Sequence, residues 1–262
     1  MKNHFLLCLL LISCNSDSDS PDIIENVQSN DTLVWMDDFS QNGSPSSSKW
    51  TYDIGGNGWG NNEVQFYTNR TQNANVSDGI LSITARKEDY NGSNYTSSRL
   101  KTQGKYSFTY GKVEVRAKLP ASAGTWPAIW MLGENFTSVG WPACGEIDIM
   151  EQKGWDKSKV SSALHNLSSS GNTINVREIN VPESTNEFHI YGMNWTRNKI
   201  EFSIDGEIYY TYSPSTKTNE NWPYNKPQFI ILNVAMGGNL GGNIPSDFTE
   251  SKMEIDYVKV YQ

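Results

Sequence analysis

Three carboxylates lie close together in residues 145–151, whose sequence is GEIDIME. Alternate side chains of a β-strand point to opposite faces, so Glu146 and Asp148 share one face while the isoleucines between them pack on the other. Strict alternation would send Glu151 into the core, where an unpaired ionised carboxylate is very costly. A β-bulge near Ile149-Met150 would return Glu151 to the face of the other two acids, and we expect one there.

Three acids on one strand face repel one another, so at least one of their pKa values should be raised. A general acid beside an ionised nucleophile needs such a difference in pKa. Acidic residues on the solvent face of a strand are also common, so the spacing alone fits a plain surface strand as well.

Tryptophans flank the acidic segment. In residues 124–132 (GTWPAIWML), period two places Trp126 and Trp130 on one face, and Trp141 lies just before the acids. Tryptophan rings are stacking platforms for sugars, and a row of them beside paired carboxylates is typical of a cleft that cuts polysaccharides. Taken alone, the same cluster would also fit a hydrophobic core.

Composition narrows the possible partners and folds. The 262 residues carry 21 Lys and Arg against 29 Asp and Glu, a formal net charge of −8. Because nucleic-acid binding needs clustered cations, and the chain has no Lys/Arg-rich run, we expect no nucleic-acid partner. The three Cys are too few for a zinc cluster or a disulfide scaffold.

The hydrophobic pattern is almost entirely of period two. Residues 113–119 alternate cleanly, and 200–204 and 207–212 flank Asp205-Gly206, which predicts a hairpin with a two-residue type I′ turn. No long window shows helical periodicity. The chain from residue 31 to 262 is therefore expected to be one all-β domain, a sandwich of two antiparallel sheets of jelly-roll type.

The GEIDIME segment resembles the Glu-x-Asp-x-x-Glu signature of glycoside hydrolase family 16, in its bulged, laminarinase-like form. This resemblance covers nearly the whole chain from about residue 33. It implies a concanavalin-like β-jelly-roll with a concave substrate cleft. Further matching stretches are residues 59–65, 104–119, 126–132, 230–238 and 254–262.

The resemblance also implies roles for the acids. Glu146 matches the nucleophile, Asp148 the residue that orients and tunes it, and Glu151 the general acid/base of a retaining hydrolase. A retaining pair has its carboxyls about 5–5.5 Å apart, whereas five strand residues span on the order of 16 Å. The bulge, strand curvature and inward-leaning side chains must close that gap.

Other candidates would bind substrate. Asn233 has the opposite parity to its apolar neighbours in the strand and should face the cleft. Asn62 falls in a family-like stretch, and His165 lies on the next strand-like segment, where the resemblance implies a His near the acid/base. A turn Asn and a structural His are equally good interpretations. The candidate substrate-binding residues are Trp126, Trp130, Trp141, Asn62, Asn233 and His165.

No cofactor is expected for catalysis. The resemblance implies one structural calcium ion, held by Asp256 and by backbone carbonyls near Asp38 and Gly79, although Asp256 also fits a plain surface position. Cys144, two residues before Glu146, is expected to be a small packing residue.

The function expected is that of an endo-acting retaining β-glucanase for β-1,3-glucan of the laminarin type, mixed-linkage β-1,3/1,4-glucan or both. The alternatives are a family 16 hydrolase of another neutral polysaccharide, such as agarose, and a non-catalytic glucan-binding lectin on the same fold. The expected partner is a neutral β-glucan, and the expected state is a monomer.

The N-terminus is expected to be a targeting signal. Residues 5–12 are apolar but too short to span a bilayer, and they lead into Leu11-Ile12-Ser13-Cys14, which resembles a bacterial lipobox. We expect a signal peptide over 1–13, a lipidated Cys14 with a flexible tether to residue 30, and a catalytic domain over 31–262. An outer-membrane lipoprotein on the cell surface is the expectation, with a periplasmic or secreted protein as the alternative.

Overall fold

The structure, a computed structural model, describes residues 32–262. The expectations for the signal peptide, Cys14 and the tether lie outside the described residues. Among residues 32–262, no helix is long and apolar enough to cross a membrane.

About half of the described residues lie in strands, which form two β-sheets. The larger one, here called the outer sheet, has ten strands. In order across the sheet these are β15 (Glu207–Tyr212), β14 (Ile200–Ile204), β13 (His189–Trp195), β8 (Gly111–Lys118), β17 (Glu250–Tyr261), β5 (Ile80–Tyr90), β6 (Ser93–Ser97) and β3 (Gln65–Tyr67), with β1 (Leu33–Asp37) paired to β17 and β4 (Ala74–Ser77) paired to β5.

The second sheet, here called the cleft sheet, has seven strands. In order they are β12 (Val176–Asn180), β11 (Asp156–His165), β10 (Glu146–Lys153), β9 (Thr125–Gly133), β16 (Gln228–Met236), β7 (Arg99–Lys101) and β2 (Thr51–Asp53). Within residues 32–262, helical structure is confined to short connections: a 3₁₀ turn (Gly58–Gly60), α1 (Phe136–Val139) and α2 (Gly238–Gly241).

The predicted two-sheet all-β fold is confirmed, with one correction to its pairing. All strand pairs are antiparallel except β3 and β6, which run parallel. The hairpin was predicted correctly: β14 and β15 are joined by Asp205 (φ 52°) and Gly206 (φ 89°), and two positive φ values are what a type I′ turn requires.

The core lies between the sheets and follows the period-two pattern. On β8, Val113, Val115 and Ala117 are fully buried and alternate with charged residues. On β16, Ile230 and Leu232 enter the same core, so the intervening residues of that strand point the other way, towards the outer face of the cleft sheet. The same alternation in the neighbouring strands brings their outward-pointing side chains together on the face of the cleft sheet that points away from the core.

Candidate active site

The acidic strand β10 contains the expected bulge. Between Asp148 and Glu151 the partner strand β11 advances only from Ala163 to Ser161, so β10 has one residue more than its neighbour. Ile149 and Met150 both enter the core, and Met150 is completely buried. Because two consecutive residues point inwards, Glu151 returns to the face of Glu146 and Asp148. The bulge prediction is confirmed.

A cleft of about 960 Å³ runs across the face of the cleft sheet that points away from the core. All seven strands of the cleft sheet contribute residues to its walls. The sequence-derived candidates that line it are Trp126, Trp130, Trp141, Glu146, Asp148, Glu151, His165 and Asn233.

Each of the three tryptophans uses its indole N–H on a different polar partner. Trp126 donates to Glu151 (Nε1–Oε1 3.0 Å), and Trp141 donates to Glu146 (Nε1–Oε2 3.1 Å). Trp130 donates to Asn233 (Nε1–Oδ1 2.7 Å). Two of the three indoles therefore orient a carboxylate of the acidic strand, a contact that the expectation of stacking platforms did not include.

The tryptophan ring faces are not equally open. Trp141 is 45% exposed, whereas Trp126 is 9% exposed. The Arg99 guanidinium lies over the Trp130 ring at 4.6 Å, and it also lies 5.0 Å from the Trp59 ring. Among the three candidates, Trp141 thus offers the most open ring face to a sugar.

His165 lies on the neighbouring strand, directly opposite Glu146 in the register. Its Nε2 is 3.2 Å from Asp148 Oδ2 and 3.7 Å from Glu146 Oε1. The Trp141 ring lies 5.9 Å from the His165 ring. Asp148, only 4% exposed, therefore sits between the two glutamates and beside a histidine that contacts it.

Burial dominates the electrostatics of the three acids. Loss of hydration raises the pKa of Glu146, of Asp148 and of Glu151, each to about 8, and the Asp148 charge adds to the rise at both glutamates. At Glu151, the His165 charge and the Trp126 N–H oppose the rise in pKa. A carboxyl in this cleft thus keeps its proton at a pH where an ordinary glutamate has lost it, as a general acid must. Because the pKa rises to about 8 at all three acids, it does not distinguish the general acid from the nucleophile.

Sequence reasoning did not single out Glu63, Tyr67 or Arg99. Glu63, which lines the cleft and is 8% exposed, accepts hydrogen bonds from Gln65 (Nε2–Oε2 2.6 Å) and Tyr67 (Oη–Oε2 3.0 Å). Arg99 pairs with Asp53 (Nε–Oδ2 3.0 Å). A signal for part of this set was present, because Glu63, Gln65 and Tyr67 alternate at period two, with Glu63 just before the short strand β3 and the other two on it.

The two candidate asparagines have different positions. Asn233 faces the cleft with the predicted parity. Asn62 lies outside the cleft lining at a left-handed turn position (φ 59°), and its amide donates to Asn239 on the rim (Nδ2–Oδ1 3.0 Å). Asn61 and Glu63, its two neighbours, line the cleft instead.

Cys144 is fully buried in a small apolar cluster with Leu132, Phe229 and Ile231. Burial raises the pKa of its thiol to about 11, with a further rise from the Glu146 charge. A thiol with this pKa is a poor nucleophile, so the structure fits the expected packing role.

The three positions expected to hold calcium come together on the outer sheet. Strands β5 and β1 pair with the same edge of β17. Near the start of β5, Leu81 pairs with Ile255, and at the end of β1, Asp37 pairs with Val258. Both strands therefore have one end close to Asp256. Gly79 and Asp38 adjoin these two ends. The Asp256 carboxylate accepts a hydrogen bond from Arg116 (Nη1–Oδ2 2.6 Å), so any ion there would share it with a guanidinium.

Comparisons with known proteins agree with this geometry. The chain is 40% identical over 275 residues to a β-glucanase of Rhodothermus marinus, covering all of this chain and 95% of the relative. The laminarinase of Flavobacterium sp. UMI-01 superposes with a TM-score of 0.83 at 43% identity, over 88% of this chain and 100% of that one. The laminarinase of Rhodothermus marinus gives a TM-score of 0.84 at 42% identity, over 88% and 97%. A family model for the glycosyl hydrolases family 16 matches residues 61–259, and the chain belongs to that family.

Proposed function

We propose that the protein is an endo-acting, retaining β-glucanase that hydrolyses β-1,3-glucan of the laminarin type, mixed-linkage β-1,3/1,4-glucan or both. The observation that carries this proposal is the bulge in β10, which places Glu146, Asp148 and Glu151 in one cleft. Relatives named as β-glucanase and laminarinase support it.

In the proposed reaction, Glu146 attacks the anomeric carbon while Glu151 protonates the departing glycosidic oxygen. The resulting glycosyl-enzyme is hydrolysed by a water molecule that Glu151 deprotonates, so the configuration is retained. Trp141 and Trp126 hold the two carboxylates by their indole N–H groups. The acids supply both nucleophile and proton, so the reaction needs no cofactor.

Asp148 tunes the other two acids. It is buried between them, and its charge raises the pKa of each. The His165 imidazole beside Asp148 is positioned to compensate that charge when it is protonated.

The proposal is tested by incubating the protein with laminarin, barley mixed-linkage glucan, lichenan, agarose and carrageenan side by side. We expect a series of oligosaccharides from the first three, and NMR of the initial products should show the β-anomer. Products of inverted configuration would refute the retaining mechanism. Cleavage of agarose alone would reassign the substrate, and glucan binding without cleavage would identify a lectin.

We further propose that the protein is an exported bacterial lipoprotein, anchored through Cys14 to the outer membrane at the cell surface. The support is the apolar segment that ends at Leu11-Ile12-Ser13-Cys14. Cell fractionation of Cys14→Ala should move the protein from the membrane to the soluble fraction. If the variant stays on the membrane, the lipoprotein assignment is wrong. The catalytic domain is proposed to begin near residue 31 and to be monomeric, which light scattering can check.

A structural calcium ion is proposed at Asp256, with backbone oxygens near Asp38 and Gly79. The support is the register that brings β1 and β5 to the same edge of β17, together with an all-oxygen donor set that suits Ca²⁺. A chelator should lower the melting temperature of the wild type, and added Ca²⁺ should restore it. Asp256→Asn should melt at one temperature with and without chelator. If the wild type shows no response to chelator, the proposed ion is not bound.

A further inference from the structure

A chain of hydrogen bonds connects a buried carboxylate to the floor of the cleft. Trp130 donates to Asn233 Oδ1 (2.7 Å), and Asn233 Nδ2 donates to the Tyr67 hydroxyl oxygen (3.2 Å). The Tyr67 hydroxyl in turn donates to Glu63 Oε2 (3.0 Å). The line joins side chains from β9, β16 and β3 to Glu63, which lies just before β3.

The donor and acceptor groups allow this chain of hydrogen bonds to run in only one direction, from Trp130 and Asn233 through Tyr67 to Glu63. An indole nitrogen donates and never accepts, so Asn233 must present its oxygen to Trp130 and its nitrogen to Tyr67. An amide nitrogen also donates, so the Tyr67 oxygen must accept from Asn233 and direct its own proton elsewhere. That proton goes to Glu63, whose Oε2 accepts it. Reversal at any link would set two donors or two acceptors against each other.

Glu63 is itself held in place. Gln65 Nε2 donates to the same carboxylate oxygen at 2.6 Å, and Gln65 Oε1 accepts from the backbone N–H of Met236 at 2.7 Å. Because Gln65 and Tyr67 are completely buried, both hydrogen bonds to Glu63 are shielded from water. Burial raises the pKa of Glu63, and the hydrogen bonds from Gln65 and Tyr67 oppose that rise because they stabilise the ionised carboxylate.

We propose that Glu63 is a positioning residue for glucan binding, which acts through Tyr67 to fix the amide of Asn233 and the indole of Trp130 at the cleft floor. This inference rests on the proposed function. With its oxygen committed to Trp130 and one N–H to Tyr67, Asn233 keeps one amide N–H for a sugar hydroxyl. Glu63 thus supports, through Tyr67, the Asn233 orientation that the Trp130 indole requires, in which the floor offers a donor at this point.

Tyr67 separates this role from direct contact with substrate. It is fully buried and does not line the cleft, so an effect of Tyr67→Phe on binding must be transmitted through its hydrogen-bonded neighbours, Asn233 or Glu63, and the NMR resonance of the Trp130 indole shows whether it reaches Asn233 and Trp130. The phenylalanine ring keeps the packing and removes only the hydroxyl. Glu63→Gln is the companion change, since it keeps the size of the side chain and removes the charge.

A carboxylate outside the cleft provides the control. Glu88 accepts hydrogen bonds from Arg70 and Thr96, and it does not line the cleft. Glu88→Gln therefore removes a carboxylate that accepts side-chain hydrogen bonds, as Glu63→Gln does, without changing the hydrogen bonds that connect Glu63 to Trp130.

The experiment measures kcat and KM on laminarin, and calorimetric binding of a laminari-oligosaccharide in a Glu146→Gln background. Loss of one hydrogen bond to a charged acceptor weakens an equilibrium about tenfold. We expect KM and the dissociation constant to rise by about that factor in both Glu63→Gln and Tyr67→Phe, with a smaller change in kcat. Glu88→Gln should bind like the wild type, and melting curves show that each variant is folded.

A second measurement follows the chain of hydrogen bonds from Glu63 to Trp130. In ¹⁵N-indole NMR spectra, the Trp130 Nε1–H resonance, assigned with Trp130→Phe, should shift in Glu63→Gln and in Tyr67→Phe and stay unchanged in Glu88→Gln. Wild-type binding by folded Tyr67→Phe would overturn the proposal, even if Glu63→Gln binds weakly, because Glu63 would then act by direct contact. A wild type that neither cuts nor binds laminarin would instead contradict the proposed function.

Discussion

The indole N–H of Trp126 donates a hydrogen bond to the Glu151 carboxylate across 3.0 Å. The two residues are on adjacent strands, since Glu151 pairs with Ala128, two residues beyond Trp126 on β9. Because an N–H stabilises the ionised carboxylate more than the neutral carboxyl, this contact works against the effect of burial on the Glu151 pKa. Trp126 therefore helps to set the proton affinity of the proposed general acid.

Replacing Trp126 by Phe should move the alkaline limb of the pH profile. Burial already raises the pKa of Glu151 to about 8, and loss of the indole N–H removes one of the contacts that lower it. The pKa of Glu151 should rise further, so the alkaline fall of kcat/KM should shift upwards by about one pH unit. Initial rates on laminarin as a function of pH measure this shift.

The control is Trp155→Phe, which changes a 63% exposed tryptophan that does not line the cleft. Its pH profile should match that of the wild type. If Trp126→Phe also leaves the alkaline limb where it was, then Trp126 does not tune Glu151.

The roles of Glu146 and Glu151 should be separable. Glu146→Gln removes the nucleophile and should abolish activity on every substrate. Glu151→Gln removes the proton donor and should cost about 10²–10⁴-fold on glucan. It should cost far less in the first step with an activated aryl glycoside, whose leaving group needs little acid help. A burst of aryl alcohol, followed by accumulation of the glycosyl-enzyme in a mass spectrum, would show this.

Azide distinguishes the two sites by stereochemistry. It needs no general base, so it should rescue Glu151→Ala and give a β-glycosyl azide from the covalent intermediate. In Glu146→Ala it should attack the substrate directly and give the α-anomer. The reverse pair of anomers would mean that the two glutamates have exchanged roles.

Local signals were sufficient for much of the fold. The Asp205-Gly206 hairpin and the alternation along β8 could be predicted because turn chemistry and side-chain period are properties of a few consecutive residues. The parallel pairing of β3 with β6 could not be predicted, since it joins segments separated by a loop, two strands and another turn. Three-residue strands such as β2 and β7 carry too few residues for a recognisable period.

The site shows the same division. The cost of burying Glu151 was enough to predict the bulge. The direction of each indole N–H depends on how β9, β10 and β16 pack together, so the bonds from Trp126 to Glu151 and from Trp130 to Asn233 carried no sequence signal. Glu63 was missed because its importance lies in partners that are distant in the sequence, such as Asn233.

Trp141 should contribute to glucan binding by stacking its exposed ring face on a sugar. It is 45% exposed beside Glu146, so its ring face is free to stack on a sugar, whereas Arg99 covers one face of Trp130. Trp141→Phe keeps an aromatic ring and should bind oligosaccharides nearly as well as the wild type. Trp141→Ala should bind them about tenfold more weakly. Equal affinities for the alanine variant and the wild type in calorimetry would rule out stacking at this position.

Glu146→Gln should make the folded protein more stable at alkaline pH. Burial raises the pKa of Glu146 from 4.5 to about 8 in the folded state. Below the ordinary pKa, both the folded and the unfolded chains hold the proton, and Glu146 contributes nothing to the pH dependence. Between the two pKa values only the folded chain holds it, so the free energy of unfolding falls as pH rises; above about 8 the penalty is complete. The neutral amide avoids that penalty.

Urea unfolding of wild type and Glu146→Gln, at a pH near the ordinary pKa of glutamate and again above 8, measures the difference. The variant should gain stability relative to the wild type only at the higher pH. Glu88→Gln gives the opposite sign, because the hydrogen bond from Arg70 lowers the pKa of Glu88 and the carboxylate stabilises the fold once it is ionised. If Glu146→Gln is no more stable than the wild type above pH 8, then burial in the cleft does not destabilise the ionised nucleophile.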